Sequence, residues 1–115
     1  MTVKEAMRRA DALRMNTVSD EQKAAWVSDL DGQLAEMFGI EPPENNWPEE
    51  DRVLLMPDPH AEIYQLYLIC KIDYYNQEMQ LYANDLAVYN AALAEAQAWY
   101  RRHHRPTFAG NWRVM

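Results

Sequence analysis

Five of the six prolines in this 115-residue chain fall between residues 42 and 59: Pro42, Pro43, Pro48, Pro57 and Pro59. Each lacks a backbone N–H and its ring clashes with the preceding helical turn, so helix is excluded through most of this stretch. The chain therefore builds in two halves, one before residue 41 and one after residue 59. Only three glycines and an abundance of Ala, Leu, Met, Gln and Glu favour helix over sheet on both sides. The expected fold class is all-α: a small bundle of about four helices with a long proline-rich connection between helices two and three. A chain of 115 residues supports one hydrophobic core, so residues 1–115 are expected to form a single helical domain, with 101–115 as a basic C-terminal arm.

Local signals place the helices. Thr2 with Glu5, and Ser19 with Gln22, have the form of capping boxes. Val3, Ala6, Met7, Ala10 and Leu13 then mark one helical face running to about Arg14, and Trp26, Leu30, Leu34 and Met37 mark a second. Gly39 is placed to end the second helix in the left-handed conformation, with Ile40 just beyond it. In the connection, EPPENNWPEED is acidic and expected to be solvated, whereas RVLLMP is apolar enough to lie extended against the helices or pair as a short strand. Asp58 before Pro59 has the form of a helix start for the third helix.

Two apolar stripes follow. Ile63, Tyr67, Cys70 and Tyr74 form the first, with Tyr64, Leu68 and Tyr75 beside it; Met79, Tyr82, Leu86, Tyr89, Leu93, Ala96 and Tyr100 form the second. The second stripe is centred about a quarter turn from where the first would carry it at ~100° per residue. A tight turn near Asn76-Gln77, with Asn76 left-handed between two antiparallel helices, explains the shift; a single long bent helix is the alternative.

All seven tyrosines lie between residues 64 and 100. Most sit on the apolar stripes, which predicts rings in the core with hydroxyls at its rim. The surplus of rings also suits a subunit interface. The candidate interface residues are Tyr67, Tyr74, Tyr82, Tyr89 and Trp99, joined by Arg101, Arg102, Arg105, Phe108 and Trp112 of the tail. Charge divides the chain in the same way: residues 1–100 carry eighteen acids against seven cations, whereas residues 101–115 carry four arginines and no acid. An acidic body repels a phosphate backbone, so only the tail suits nucleic acid; it equally suits docking on a neighbouring acidic subunit.

Catalytic and metal constellations are not expected. Gly32, Gly39 and Gly110 are too dispersed for a phosphate-cradling loop, and His103 and His104 are adjacent and diverge on a helix. Asp29 with Asp31, and Glu49-Glu50-Asp51, read as surface carboxylates, and His60 is the one histidine left for spatial pairing with a nucleophile. Cys70 stands alone, so it reads as a small buried thiol in a reducing compartment. No apolar run is long enough for a bilayer, and the amphipathic N-terminus lacks the apolar stretch of a signal peptide, so a cytoplasmic protein is expected. No cofactor and no small-molecule substrate are expected.

The stretch EIYQLYLICKIDYYNQEMQLYANDLAVYNAALAEAQAWYRRHHRP, together with MNTVSDEQKAAWVSDLDGQL and LLMPDPHAEIY, resembles head-tail connector or head-completion proteins of tailed bacteriophages and prophages. The likeness covers most of the chain; Asn76-Gln77 departs from it, the family often having Asn-Gly there, and the acidic connection has no counterpart. The resemblance implies a non-enzymatic homo-oligomer that forms a ring beneath the portal and contacts other neck or tail proteins. DNA would then be at most a passing substrate in a channel. It places the protein in the host bacterial cytoplasm during assembly and in the virion neck afterwards. The alternative is a DNA-binding or packaging-associated protein acting through its basic C-terminal tail.

Overall fold

The computed structural model of the protein describes residues 1–103. These form four helices, α1 (Val3–Leu13), α2 (Asp20–Phe38), α3 (Glu62–Tyr75) and α4 (Met79–His103), joined as an all-α bundle. Both expected N-caps form: Thr2 Oγ1 accepts from the Glu5 amide at 3.2 Å and Ser19 Oγ from the Gln22 amide at 3.1 Å. The reciprocal half of the first capping box does not, because Glu5 turns outward to Arg8 and Arg9.

α2 and α3 end with the same pair of backbone bonds. After α2, Gly39 takes φ 70°, its amide donates to Glu36 O at 3.3 Å, and the Ile40 amide donates to Ala35 O at 3.0 Å. After α3, the Gln77 amide donates to Tyr74 O at 3.1 Å and the Glu78 amide to Asp73 O at 2.9 Å. The chain therefore turns between two separate helices, as the phase shift predicts. The left-handed residue is Gln77 (φ 59°) and not Asn76, which stays right-handed at φ −81°. Asn76 has other work: its side-chain amide donates to Met15 O at 3.3 Å, tying the α3–α4 turn to the α1–α2 loop.

The start of α3 also differs from expectation. Residues 57–61 cross in tight turns, with His60 N–H donating to Pro57 O at 3.0 Å and Ile63 N–H to His60 O at 3.3 Å. The first of these bonds occupies an amide that an Asp58 cap would have served, and the helix begins at Glu62 behind the fully buried Ala61. The connection otherwise follows its pattern. Its acidic half is largely exposed, with Trp47 packed back on the core, and Leu54 and Met56 are buried. Val53 forms a single antiparallel bridge with Thr2, and no strand forms among the described residues.

α3 lies at the centre, beside α1, α2 and α4, and buries Ile63, Tyr64, Leu68, Ile69, Cys70 and Ile72. On α2 the inward face is Ala24, Val27, Leu30 and Leu34; Trp26 is only half-buried and Met37 is exposed. The α4 backbone lies beside α3 alone, its side chains reaching α2 through Gln97 on Met37 and Tyr100 on Phe38, and of its residues only Tyr89 and Ala96 are buried.

Candidate functional site

The tyrosine band separates into three environments. Tyr64 belongs to the core, with its ring and hydroxyl both buried. Tyr75 is exposed beside the turn, and Tyr100 stacks on Phe38 with ring centroids 3.6 Å apart. The remaining four, Tyr67, Tyr74, Tyr82 and Tyr89, line one cleft between α3 and α4 with Cys70, Lys71 and Leu86. Its volume is about 340 Å³ and it opens to solvent.

The antiparallel pairing of the helices builds this cleft from the two stripes. Tyr67 faces Tyr89 and Tyr74 faces Tyr82, each pair with centroids 5.4 Å apart and rings tilted or edge-on. Lys71 lies 5.4 Å over the Tyr67 ring, a cation against a π face at the rim. Tyr89 is the floor: burial pushes its phenol well above the ordinary value. Tyr74 is 60% exposed and stands at the mouth, where the expected core packing is not found because α3 ends there.

The cleft offers little chemistry. Burial, reinforced by Asp85 and Asp73, pushes the Cys70 thiol up to about 11, so it is protonated near neutrality and a poor nucleophile. His60 lies elsewhere, against Trp99 at the far end of α4. Among the described residues no three His, Cys, Asp or Glu side chains converge to hold a metal ion.

Where the α3–α4 pair meets α1, Arg14 bridges two carboxylates. Its Nε donates to Asp73 Oδ1 at 3.0 Å and its Nη2 to Asp85 Oδ2 at 2.6 Å. Asp73 is buried and its Oδ2 has no hydrogen-bond partner. Burial, with help from Asp85, raises its carboxyl to about 6. Burial works the same way on Asp85, but the influence of Asp73 and Arg14 outweighs it and holds Asp85 below the ordinary carboxylate value.

Beyond the cleft, Trp99 packs on His60 and His103, and Arg101 and Arg102 are exposed in the last turn of α4. The cleft thus gathers four of the candidate residues, while Trp99 and the arginines sit at the opposite end of the molecule. Arg105, Phe108 and Trp112 lie outside the described residues.

Sequence reasoning assigned Asp31 to the surface, and the structure corrects this: Asp31 is fully buried. Its Oδ2 accepts from Arg52 Nη1 at 2.7 Å and from the Leu55 amide at 3.2 Å, and its Oδ1 accepts from the Tyr64 hydroxyl. That hydroxyl in turn accepts from the Met56 amide at 2.7 Å. Burial and the Asp31 charge keep the Tyr64 phenol protonated, its value pushed far above the ordinary one. Asp31 therefore pins the proline-rich connection to α2 and α3. Asp29, Glu49, Glu50 and Asp51 are exposed as expected.

Lys23 is a second buried charge the pattern did not reveal, its Nζ held by Asp11 at 2.8 and 2.9 Å.

At the α3–α4 turn, Tyr74, Tyr75, Gln77 and Met79 line a shallow groove, and Leu13 and Met15 are exposed on the α1–α2 side. Among the described residues no helix is long and apolar enough to cross a membrane. Neither the family models, the curated proteins nor the solved structures include a match to this chain.

Proposed function

We propose that this chain is a non-enzymatic structural subunit that self-associates, as the head-tail connectors it resembles in sequence do, in a ring beneath the portal in the neck of a tailed phage or prophage. The observation that carries the proposal is the α3–α4 cleft: four tyrosines from two helices are paired with one another around an opening to solvent, Tyr89 as its buried floor, Tyr67 and Tyr82 half-buried and Tyr74 exposed. Aromatic rings that stay partly accessible in a cleft are the side chains that protein contact sites favour. The Cys70 thiol at the cleft's edge, kept protonated by burial and by the neighbouring carboxylates of Asp85 and Asp73, supports a binding role over a chemical one. The exposed apolar tip at the α3–α4 turn adjoins the cleft through Tyr74 and extends the surface available to a neighbour.

The test is electron microscopy of the purified protein mixed with its cognate portal. Rings stacked on the portal are expected; no association refutes the reading. The alternative, DNA binding through the basic tail, has Arg101 and Arg102 exposed at the end of α4 in its favour. It predicts DNA affinity at physiological ionic strength that falls steeply with salt, and an acidic body opposes it.

A further inference from the structure

The geometry points to one occupant for the aromatic cleft: the segment beyond α4 of a second copy of this chain, inserted through Phe108 and Trp112. This rests on the self-association proposed above and names the surfaces that would carry it.

Three observations converge. The cleft is lined by four tyrosines with Leu86 and Cys70, with Lys71 at its rim held over the Tyr67 ring, and at about 340 Å³ it takes small apolar or aromatic groups. The segment following His103 reads HRPTFAGNWRVM, whose Phe108 and Trp112 are aromatic anchors four residues apart. The segment also carries Arg105 and Arg113 and no acid, whereas residues 1–100 hold eighteen acids against seven cations. Long-range attraction therefore brings the segment toward the body of any copy.

Chain length decides which copy. The near edge of the cleft, Tyr89, is 14 residues before His103 on α4, and the far edge, Tyr82, is 21 residues before it. At the helical rise these are about 21 and 31 Å from the end of the helix. To return along its own α4 the chain must first reverse, which takes at least about two residues. Phe108, five residues past His103, then has about three residues of travel, or roughly 10 Å, and stops short of the cleft. Trp112 has about seven, or roughly 24 Å, and meets only the near edge. Both anchors fill one cleft only when it belongs to a neighbour.

The test uses the full-length protein with a photo-crosslinking phenylalanine analogue in place of Trp112, mixed from ¹⁴N and ¹⁵N preparations. Crosslinks joining the two isotopes are expected on the peptides carrying Tyr67–Tyr74 or Tyr82–Tyr89, and Tyr82→Ala should reduce them with the circular dichroism spectrum unchanged. Phe108→Ala with Trp112→Ala should weaken self-association, measured by sedimentation, about tenfold or more. Crosslinks within one isotope only, crosslinks away from the cleft, or unchanged association in the double variant each overturn the docking. Strong association with crosslinks elsewhere would leave the assembly reading intact. A protein that is monomeric alone but forms rings on the portal would likewise sink the docking and spare that reading.

Discussion

Two buried aspartates divide the molecule into a settled half and a compromised one. Asp31 on α2 accepts three hydrogen bonds, from Arg52, Tyr64 and the Leu55 amide, and both its oxygens are used. Asp73 on α3 shares a single arginine with Asp85 and keeps one oxygen bare. The ends of the two helices repeat the contrast. α2 closes on Gly39, which takes the left-handed conformation without steric penalty, whereas α3 closes on Gln77, which does not. The half with the compromises is also the half with the open aromatic cleft. At Asp31 both carboxylate oxygens are engaged and the unpartnered atom is Nη2 of its partner Arg52, whereas at Asp73 the unpartnered atom belongs to the buried carboxylate itself.

The largest expected effect tests the settled half. Asp31→Ala leaves the Arg52 guanidinium, the Leu55 amide and the Tyr64 hydroxyl without their acceptor, and breaking a buried charge pair by removing one member costs about 3–5 kcal/mol. Urea unfolding measures it. A loss below about 1 kcal/mol would erase the distinction between the two aspartates.

Gln77→Gly probes the compromised half with the opposite sign. Relief of the left-handed conformation should stabilise the protein by up to about 1 kcal/mol, set against the added freedom of the unfolded chain. The corresponding Gly39→Ala should destabilise by a similar amount, and equal signs for the two changes would show that the turns are not equivalent.

The smallest effect is one of slope. The Asp73 carboxyl stands near 6 in the folded protein against an ordinary 3.8, so the folded state holds more protons than the unfolded state between these values. Its contribution to stability therefore grows as pH falls through 6 and levels off below about 3.8. Asp85, held low, acts in reverse: its contribution is present above the ordinary value and fades as pH falls through the lowered one. Asp73→Asn removes the first contribution. The stability of the variant relative to the parent should be highest above pH 6 and decline toward pH 4, followed by urea melts across that range. A flat difference would mean that burial does not raise the Asp73 carboxyl in the folded protein.

What the sequence revealed follows the range of the forces involved. Caps at Thr2 and Ser19 and the stop at Gly39 are bonds between residues a few positions apart, so spacing alone exposes them. The break near residue 76 was legible from the phase of the stripes. Its left-handed residue was not, because Asn76 is claimed by Met15, 61 positions away. Asp31 was misassigned for the same reason: its partners Arg52 and Tyr64 lie 21 and 33 positions along the chain. The tyrosine stripes announced a shared seam between α3 and α4, but periodicity could not tell that Tyr67, Tyr74 and Tyr82 would stay accessible around a cleft while Tyr64 sank into the core.

α4 is 25 residues long and its backbone lies beside α3 alone, with Tyr100 stacked on Phe38 near its far end. A rod fastened along one side and otherwise held by a few side-chain clips, Tyr100 on Phe38, Gln97 on Met37 and Asp85 on Arg14, detaches once they open, so its amide protons should exchange with solvent well ahead of those in α2. Any neighbour that grips the outer side of this rod would slow that exchange across its whole length, turning a local handshake into rigidity felt some 37 Å away.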